Sequence, residues 1–132
     1  MDNKPGEQWK RFALHEHRAK RAGLHYDLRL EWHNGKVMSF AMRYSPPTAS
    51  GVKRLALEQP LHEEESLGFE GVIEKGYGAG ELKIIDSGEY RSVKEDPKEL
   101  IIFMRGAKLS GTYVMLNTEE HKWLMFKKKT EK

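Results

Sequence analysis

Leu24-His25-Tyr26-Asp27-Leu28-Arg29-Leu30-Glu31 alternates throughout, with Leu24, Tyr26, Leu28 and Leu30 on one face and His25, Asp27, Arg29 and Glu31 on the other. A period of two marks a β-strand with one face in a core. His33-Asn34-Gly35 follows, a turn of the Asn-Gly kind that closes tight hairpins, and residues 37–42 are predicted to return as the partner strand. Downstream, residues 55–58, 69–73, 82–85 and 89–93 also read as strands, with a turn predicted at Asp86-Ser87-Gly88. Residues 96–99 suggest one helical turn. Residues 100–104, 112–116 and 123–126 then form a meander with turns at Gly106 and near Asn117. Eight or nine short strands at close spacing predict an all-β domain, an antiparallel barrel or sandwich.

Upstream of the alternating stretch, residues 14–23 are dense in Arg, Lys and His and end in Ala22-Gly23. They read as a basic loop leading into the strand, with a short basic helix as the alternative. Residues 1–11 are polar and contain Pro5 and Gly6, so a flexible N-terminal arm is expected there, with a single folded domain over 12–132. Residues 44–51 hold Pro46-Pro47, where regular pairing cannot persist.

With 132 residues the chain has room for one domain. It has no cysteine, which excludes disulfide staples, thiolate zinc sites, iron–sulfur clusters and a cysteine nucleophile, and leaves His, Asp and Glu as metal-ligating side chains. Apolar runs are far shorter than the roughly 20 residues that span a bilayer, and 1–5 lack a signal peptide's apolar stretch. A soluble, cytoplasmic protein with no membrane partner is expected. The net charge of +3, from 23 Lys+Arg against 20 Asp+Glu, permits a polyanionic partner without demanding one.

His25 and Asp27, two apart on one strand, project from the same face about 7 Å apart along the backbone and can lean onto one ion. Mixed imidazole–carboxylate ligation suits manganese, iron or zinc. His17 can supply a third ligand from the basic stretch, with His15 its nearest competitor. Arg29 continues the polar face beyond Asp27, where a planar cation grips phosphate through paired hydrogen bonds. Polar alternation is also what any strand with a solvated face shows. Gly76-Tyr77-Gly78-Ala79-Gly80 lacks the lysine and hydroxyl of a phosphate-cradling loop and reads as a tight connection between strands. Lys127-Lys128-Lys129 reads as a solvated terminus, and Trp9, Trp32 and Trp123 as core or rim aromatics.

The string from His17 to Glu31 resembles the signature of the 3′-phosphoesterase family, which includes the phosphoesterase module of bacterial multifunctional DNA ligases of the ligase D type, and stand-alone forms in bacteria and archaea. The resemblance continues in order through Lys53-Arg54-Leu55-Ala56, His62, Phe69-Glu70-Gly71-Val72-Ile73, the glycine-rich loop, Lys108-Leu109-Ser110-Gly111 and Trp123-Leu124-Met125-Phe126-Lys127. It implies a small closed β-barrel of about eight strands with its site in a crescent-shaped cavity. It also implies a divalent metal, typically manganese (Mn2+), on His17, His25 and Asp27, and a scissile phosphate engaged by Arg29, Arg54 and His62, with His62 as a general acid. The implied activity is removal of a 3′-terminal ribonucleoside and of a 3′-phosphate from DNA or RNA 3′ ends in repair, beside a separate ligase or polymerase. A non-catalytic barrel that binds such ends is the alternative.

The chain departs from the family pattern at several places. Ala22-Gly23 reads as a two-residue insertion, Ser66 stands where the bacterial modules carry a phosphate-holding tyrosine, the glycine-rich loop is one residue shorter, and Pro60-Leu61 replaces an acidic pair.

Overall fold

The computed structural model describes residues 8–76 and 78–129. Its strands, in chain order, are β1 (Lys10–Ala19), β2 (Gly23–Glu31), β3 (Lys36–Met42), β4 (Lys53–Glu63), β5 (Gly71–Ile73), β6 (Gly80–Glu95), β7 (Glu99–Gly106), β8 (Ser110–Glu119) and β9 (Lys122–Lys127). The pairing order is β1-β2-β3-β4-β9-β8-β7-β6, and β6 pairs back onto β1, so eight antiparallel strands close a barrel. Among the described residues, closure leaves no long sheet edge open to another chain. Strand β5 lies outside the ring, on the first residues of β6, ahead of the segment that pairs with β7.

Alternation decides what fills the barrel. Phe12 and Leu14 of β1, Leu28 and Leu30 of β2, and Phe40 and Met42 of β3 meet Ile102, Met104, Tyr113 and Met115 of the far wall in one buried cluster. The lumen of so small a barrel is packed by side chains. Asn34 (φ 59°) and Gly35 (φ 71°) take the left-handed conformation that the β2–β3 hairpin turn requires.

The opposite alternation set points outward from β1–β4, and there the outer wall is covered as well. The 3₁₀ turn Glu64–Leu67 lies over it, with Leu67 packed against Ala13 and Val37. This double covering explains one departure from the sequence reading. Residues 14–19 belong to β1, which pairs with β2 on one edge and β6 on the other, in place of the expected basic loop or helix. Because His15 and His17 point outward and are nonetheless buried, the stretch lacks a plain polar face to betray its period. Of the expected arm, 1–7 lie outside the described residues, and Lys10 and Arg11 pair with Tyr90 and Glu89.

Asp86-Ser87-Gly88 does not turn. Strand β6 runs through it, and the β1–β6 register steps from Leu14↔Asp86 to His15↔Ile84, leaving Ile85 as a bulge. At 96–99 the Asp96 carboxylate accepts hydrogen bonds from the Lys98 and Glu99 N–H groups (2.9 and 2.8 Å), making a tight turn where a helical one was expected. Among the described residues no helix is long and apolar enough to cross a membrane.

Candidate metal and phosphate site

The β1–β2 register pairs His17 with His25, His15 with Asp27 and Ala13 with Arg29, so these residues share the outer face. The sheet carries that face onward through Ser39 and Ala41 of β3 to Gln59 and Leu57 of β4. His62 joins it through an irregularity. Gln59 pairs with Ser39 but His62 with Val37, so Pro60 and Leu61 both stand opposite Met38. Proline has no N–H for the ladder, and the bulge turns His62 to the face a regular strand would have given to Leu61. His17, His25, Asp27, Arg29 and His62 thereby line one cavity of about 490 Å³.

Ligand atoms of His17, His25 and Asp27 lie within 4.8 Å of one another. His17 Nε2–H donates to the Gly78 carbonyl (2.9 Å) and His25 Nδ1–H to the Gly23 carbonyl (3.2 Å), which leaves His17 Nδ1 2.9 Å from Asp27 Oδ2 and His25 Nε2 3.3 Å from Asp27 Oδ1. A nitrogen facing a carboxylate must either take a second proton or present its lone pair to a cation. Donors bonded at about 2.0–2.2 Å and 90–109° apart sit about 2.8–3.6 Å from each other, so both spacings fit a shared ion. Carbonyls that orient the second ring nitrogen are the usual support of metal-ligating histidines. The residues therefore fit a divalent metal.

The local charges agree. Hydrogen bonding to Asp27 raises the His25 pKa above its ordinary value despite burial. Burial alone would raise the Asp27 pKa, but the hydrogen bond and charge of His25, followed by the charges of Arg29 and His17, hold it below the usual carboxylate value.

Arg29 is buried, donates from Nη1 to the Ser66 carbonyl (2.8 Å) and lies 3.8 Å from Asp27 through Nη2. Its Nε and the Ser39 hydroxyl, opposite it on β3, are buried without a hydrogen-bond partner among the described residues. Both residues line the cavity, so two unmet donors lie in its wall, out of direct reach of solvent. Burial, reinforced by the charge of Arg29, lowers the His62 pKa.

Two residues named from the sequence stand apart. Ser66 meets the site through its backbone, and its hydroxyl is buried without a partner among the described residues. Arg54 donates from Nε to the Ser45 carbonyl (3.1 Å) and lines an adjoining cavity instead. The sequence reading missed Ser39 and the Gly78 carbonyl. The glycine-rich loop was the signal for the latter, although its Tyr77 falls outside the described residues. None of the three tryptophans lines the site cavity.

His15 is not among the residues whose ligand atoms gather at Asp27, and it does not line the cavity. Its Nε2–H donates to the Phe69 carbonyl (2.9 Å), its Nδ1 has no partner among the described residues, and it is fully buried. Burial first, then the charge of Arg29, push its pKa down to about 4 from 6.5. A depressed folded-state pKa means that the unfolded chain binds the proton first as pH falls. His15 stability is therefore present above pH 6.5 and lost as the pH falls towards 4, by about 3 kcal/mol at about 1.36 kcal/mol per pH unit. Urea midpoints at the two ends of this window should differ less in His15→Gln than in the parent chain; equal differences would refute the assignment.

Residues 15–117 match the family model described as the DNA ligase D 3′-phosphoesterase domain. The multifunctional non-homologous end joining protein LigD of Mycolicibacterium smegmatis is 38% identical over 134 residues, covering 92% of this chain and 17% of that protein. The protein of the same name from Pseudomonas aeruginosa is 35% identical over 130 residues, covering 90% of this chain and 15% of its own length. The chain thus spans less than a fifth of either relative. Matched over most of its length by the model and at this identity by the relatives, the chain belongs to the DNA ligase D 3′-phosphoesterase domain family.

Proposed function

We propose that the chain is a manganese-dependent phosphoesterase that processes DNA or RNA 3′ ends for repair, removing a 3′-terminal ribonucleoside and then the 3′-phosphate left behind. The observation that carries this reading is one cavity lined by a His17–His25–Asp27 donor set together with Arg29, Ser39 and His62. When bound, a divalent ion would supply positive charge to polarise a phosphoryl oxygen and acidify an attacking water.

The chain's own groups do the rest. Arg29 lines the cavity beside Asp27, where its guanidinium neutralises charge developing on the phosphate oxygens. Ser39 lines the cavity from β3, whereas Ser66 is not among its lining residues. His62 stands in the same cavity to protonate the leaving oxygen. It is neutral at neutral pH in the free chain, and an arriving phosphate dianion favours its protonated form.

The test is a labelled DNA primer–template ending in one ribonucleotide, incubated with manganese and resolved by gel. A shortened primer ending in 3′-phosphate or 3′-hydroxyl, lost with chelator and in His25→Ala, is expected. End binding that is indifferent to chelator, without product, would establish the non-catalytic barrel instead. His62→Gln should slow turnover by about 10²–10⁴-fold and flatten the fall in rate with rising pH that a protonated donor imposes. An unchanged pH profile in that variant would remove His62 from the reaction. A ligase or polymerase would use the resulting 3′-hydroxyl.

A further inference from the structure

Beside the metal and phosphate site lies a second cavity of about 730 Å³, which shares Ala22, Leu24 and Arg43 with it as common wall. Its floor comes from the loop that follows β3. Tyr44 in that loop is 59% exposed, an unusual setting for an aromatic ring in a small barrel. The guanidinium of Arg54 lies 5.5 Å from the centre of that ring and that of Arg43 lies 5.8 Å from it. Arg54 is pinned from below by its Nε–H bond to the Ser45 carbonyl, which leaves its terminal amino groups available. Leu24, 46% exposed, carries apolar surface from this cavity into the neighbouring one.

An exposed ring flanked by two cations has the chemistry of a platform for single-stranded nucleic acid. Bases of any kind stack on an aromatic face, and the sugar–phosphate backbone runs along the arginines. We propose that Tyr44, Arg43 and Arg54 form a strand-holding subsite that binds the nucleotides upstream of the processed 3′ end. This deepens the reading above and rests on it. The strand enters over Tyr44, its upstream phosphates meet Arg43 and Arg54, and its terminal phosphate passes along Leu24 to Arg29. In this arrangement Arg54 acts on the phosphate before the scissile one, which accounts for its place in the adjoining cavity. The subsite reads no base identity, because stacking and phosphate contacts carry little sequence information.

The test is direct binding, by fluorescence anisotropy, of a 5′-labelled single-stranded DNA oligonucleotide ending in 3′-phosphate to the whole chain with manganese. Tyr44→Ala should weaken binding by about 5-fold to 150-fold, the range for losing one stacked base. Tyr44→Phe should restore it, since the ring and not the hydroxyl does the holding. Arg43→Gln should reduce the slope of log Kd against log salt by about 0.7, one single-strand phosphate contact. Thermal midpoints of all variants matched to the parent chain show that loss of binding is not loss of fold.

Equal binding by Tyr44→Ala and the parent chain, failure of Tyr44→Phe to rescue, or no binding by the parent chain would each overturn the subsite. Turnover of the ribonucleotide-ended primer is scored separately. Turnover by the parent chain with unaltered Tyr44→Ala binding refutes the subsite alone. Stacking-dependent binding without turnover refutes the phosphoesterase reading alone.

Discussion

Replacing Asp27 by asparagine is expected to lower divalent-metal affinity by more than about 100-fold. Removing only an outer hydrogen-bond partner of a metal ligand costs about 10–100-fold, and Asp27 is the anionic member of the donor set itself. The variant keeps the shape of the side chain but removes the charge that offsets a dication. It also removes the partner that His17 and His25 approach at 2.9 and 3.3 Å. Manganese titration calorimetry should give a binding heat for the parent chain and none for Asp27→Asn, and manganese-dependent 3′-end processing should fall with it. The parent chain carries a further signature. A bound metal requires neutral imidazole, and His25 holds its proton more tightly than an ordinary histidine because of Asp27. Metal binding should therefore release protons and weaken as the pH falls. Retained affinity in Asp27→Asn, or binding without proton release, would place the metal elsewhere.

How much of this was legible in the sequence depends on how local each feature is. Strand β2 was legible because its polar and apolar residues alternate strictly and the Asn34-Gly35 turn fixes the register of its partner. The nearness of His25 to Asp27 follows from that alone. The choice between His15 and His17 does not, because both lie on one face of β1. The two differ in what the other ring nitrogen meets: both Nε2–H groups donate to loop carbonyls more than 50 positions away, of Phe69 and Gly78, but His17 Nδ1 lies 2.9 Å from Asp27 Oδ2 while His15 Nδ1 has no partner among the described residues. His62 was placed in the site by resemblance, against simple periodicity. It stands three residues from Gln59, so an unbroken strand would put the two on opposite faces, and only the Pro60-Leu61 bulge aligns them. Ser39 was overlooked because nothing in residues 36–42 marks its hydroxyl, buried and without a partner among the described residues; the partner strand that buries it is brought alongside by the fold.

Asp86 shows the same limit at a structural position. Asp-Ser-Gly carries turn chemistry, yet the residue that favours turns is used here to terminate a different hairpin. Lying within β6 and 5% exposed, its carboxylate accepts hydrogen bonds from the Ser87, Ala107, Lys108 and Leu109 N–H groups at 2.8–3.0 Å. Three of these belong to the β7–β8 turn, which the Gly106 N–H to Leu109 carbonyl bond closes (2.8 Å). Gly106 is required for the approach: a Cβ there would lie 2.7 Å from Asp86 Oδ2 and 2.5 Å from Phe12 Cζ. Asp86→Ala leaves this set of donors without an acceptor, the Leu109 N–H in a buried position. Each buried donor left unmet costs about 1–3 kcal/mol. Water entering the vacated space recovers part of that, so a net loss of about 3–5 kcal/mol is expected, a large fraction of the roughly 5–15 kcal/mol that holds such a domain together. Asp86→Asn should fall between, since its amide keeps one acceptor oxygen but turns an NH2 group towards other donors. Urea unfolding of the three chains measures this directly. A loss below about 1 kcal/mol in Asp86→Ala would mean that the β7–β8 turn holds itself and the carboxylate only decorates it.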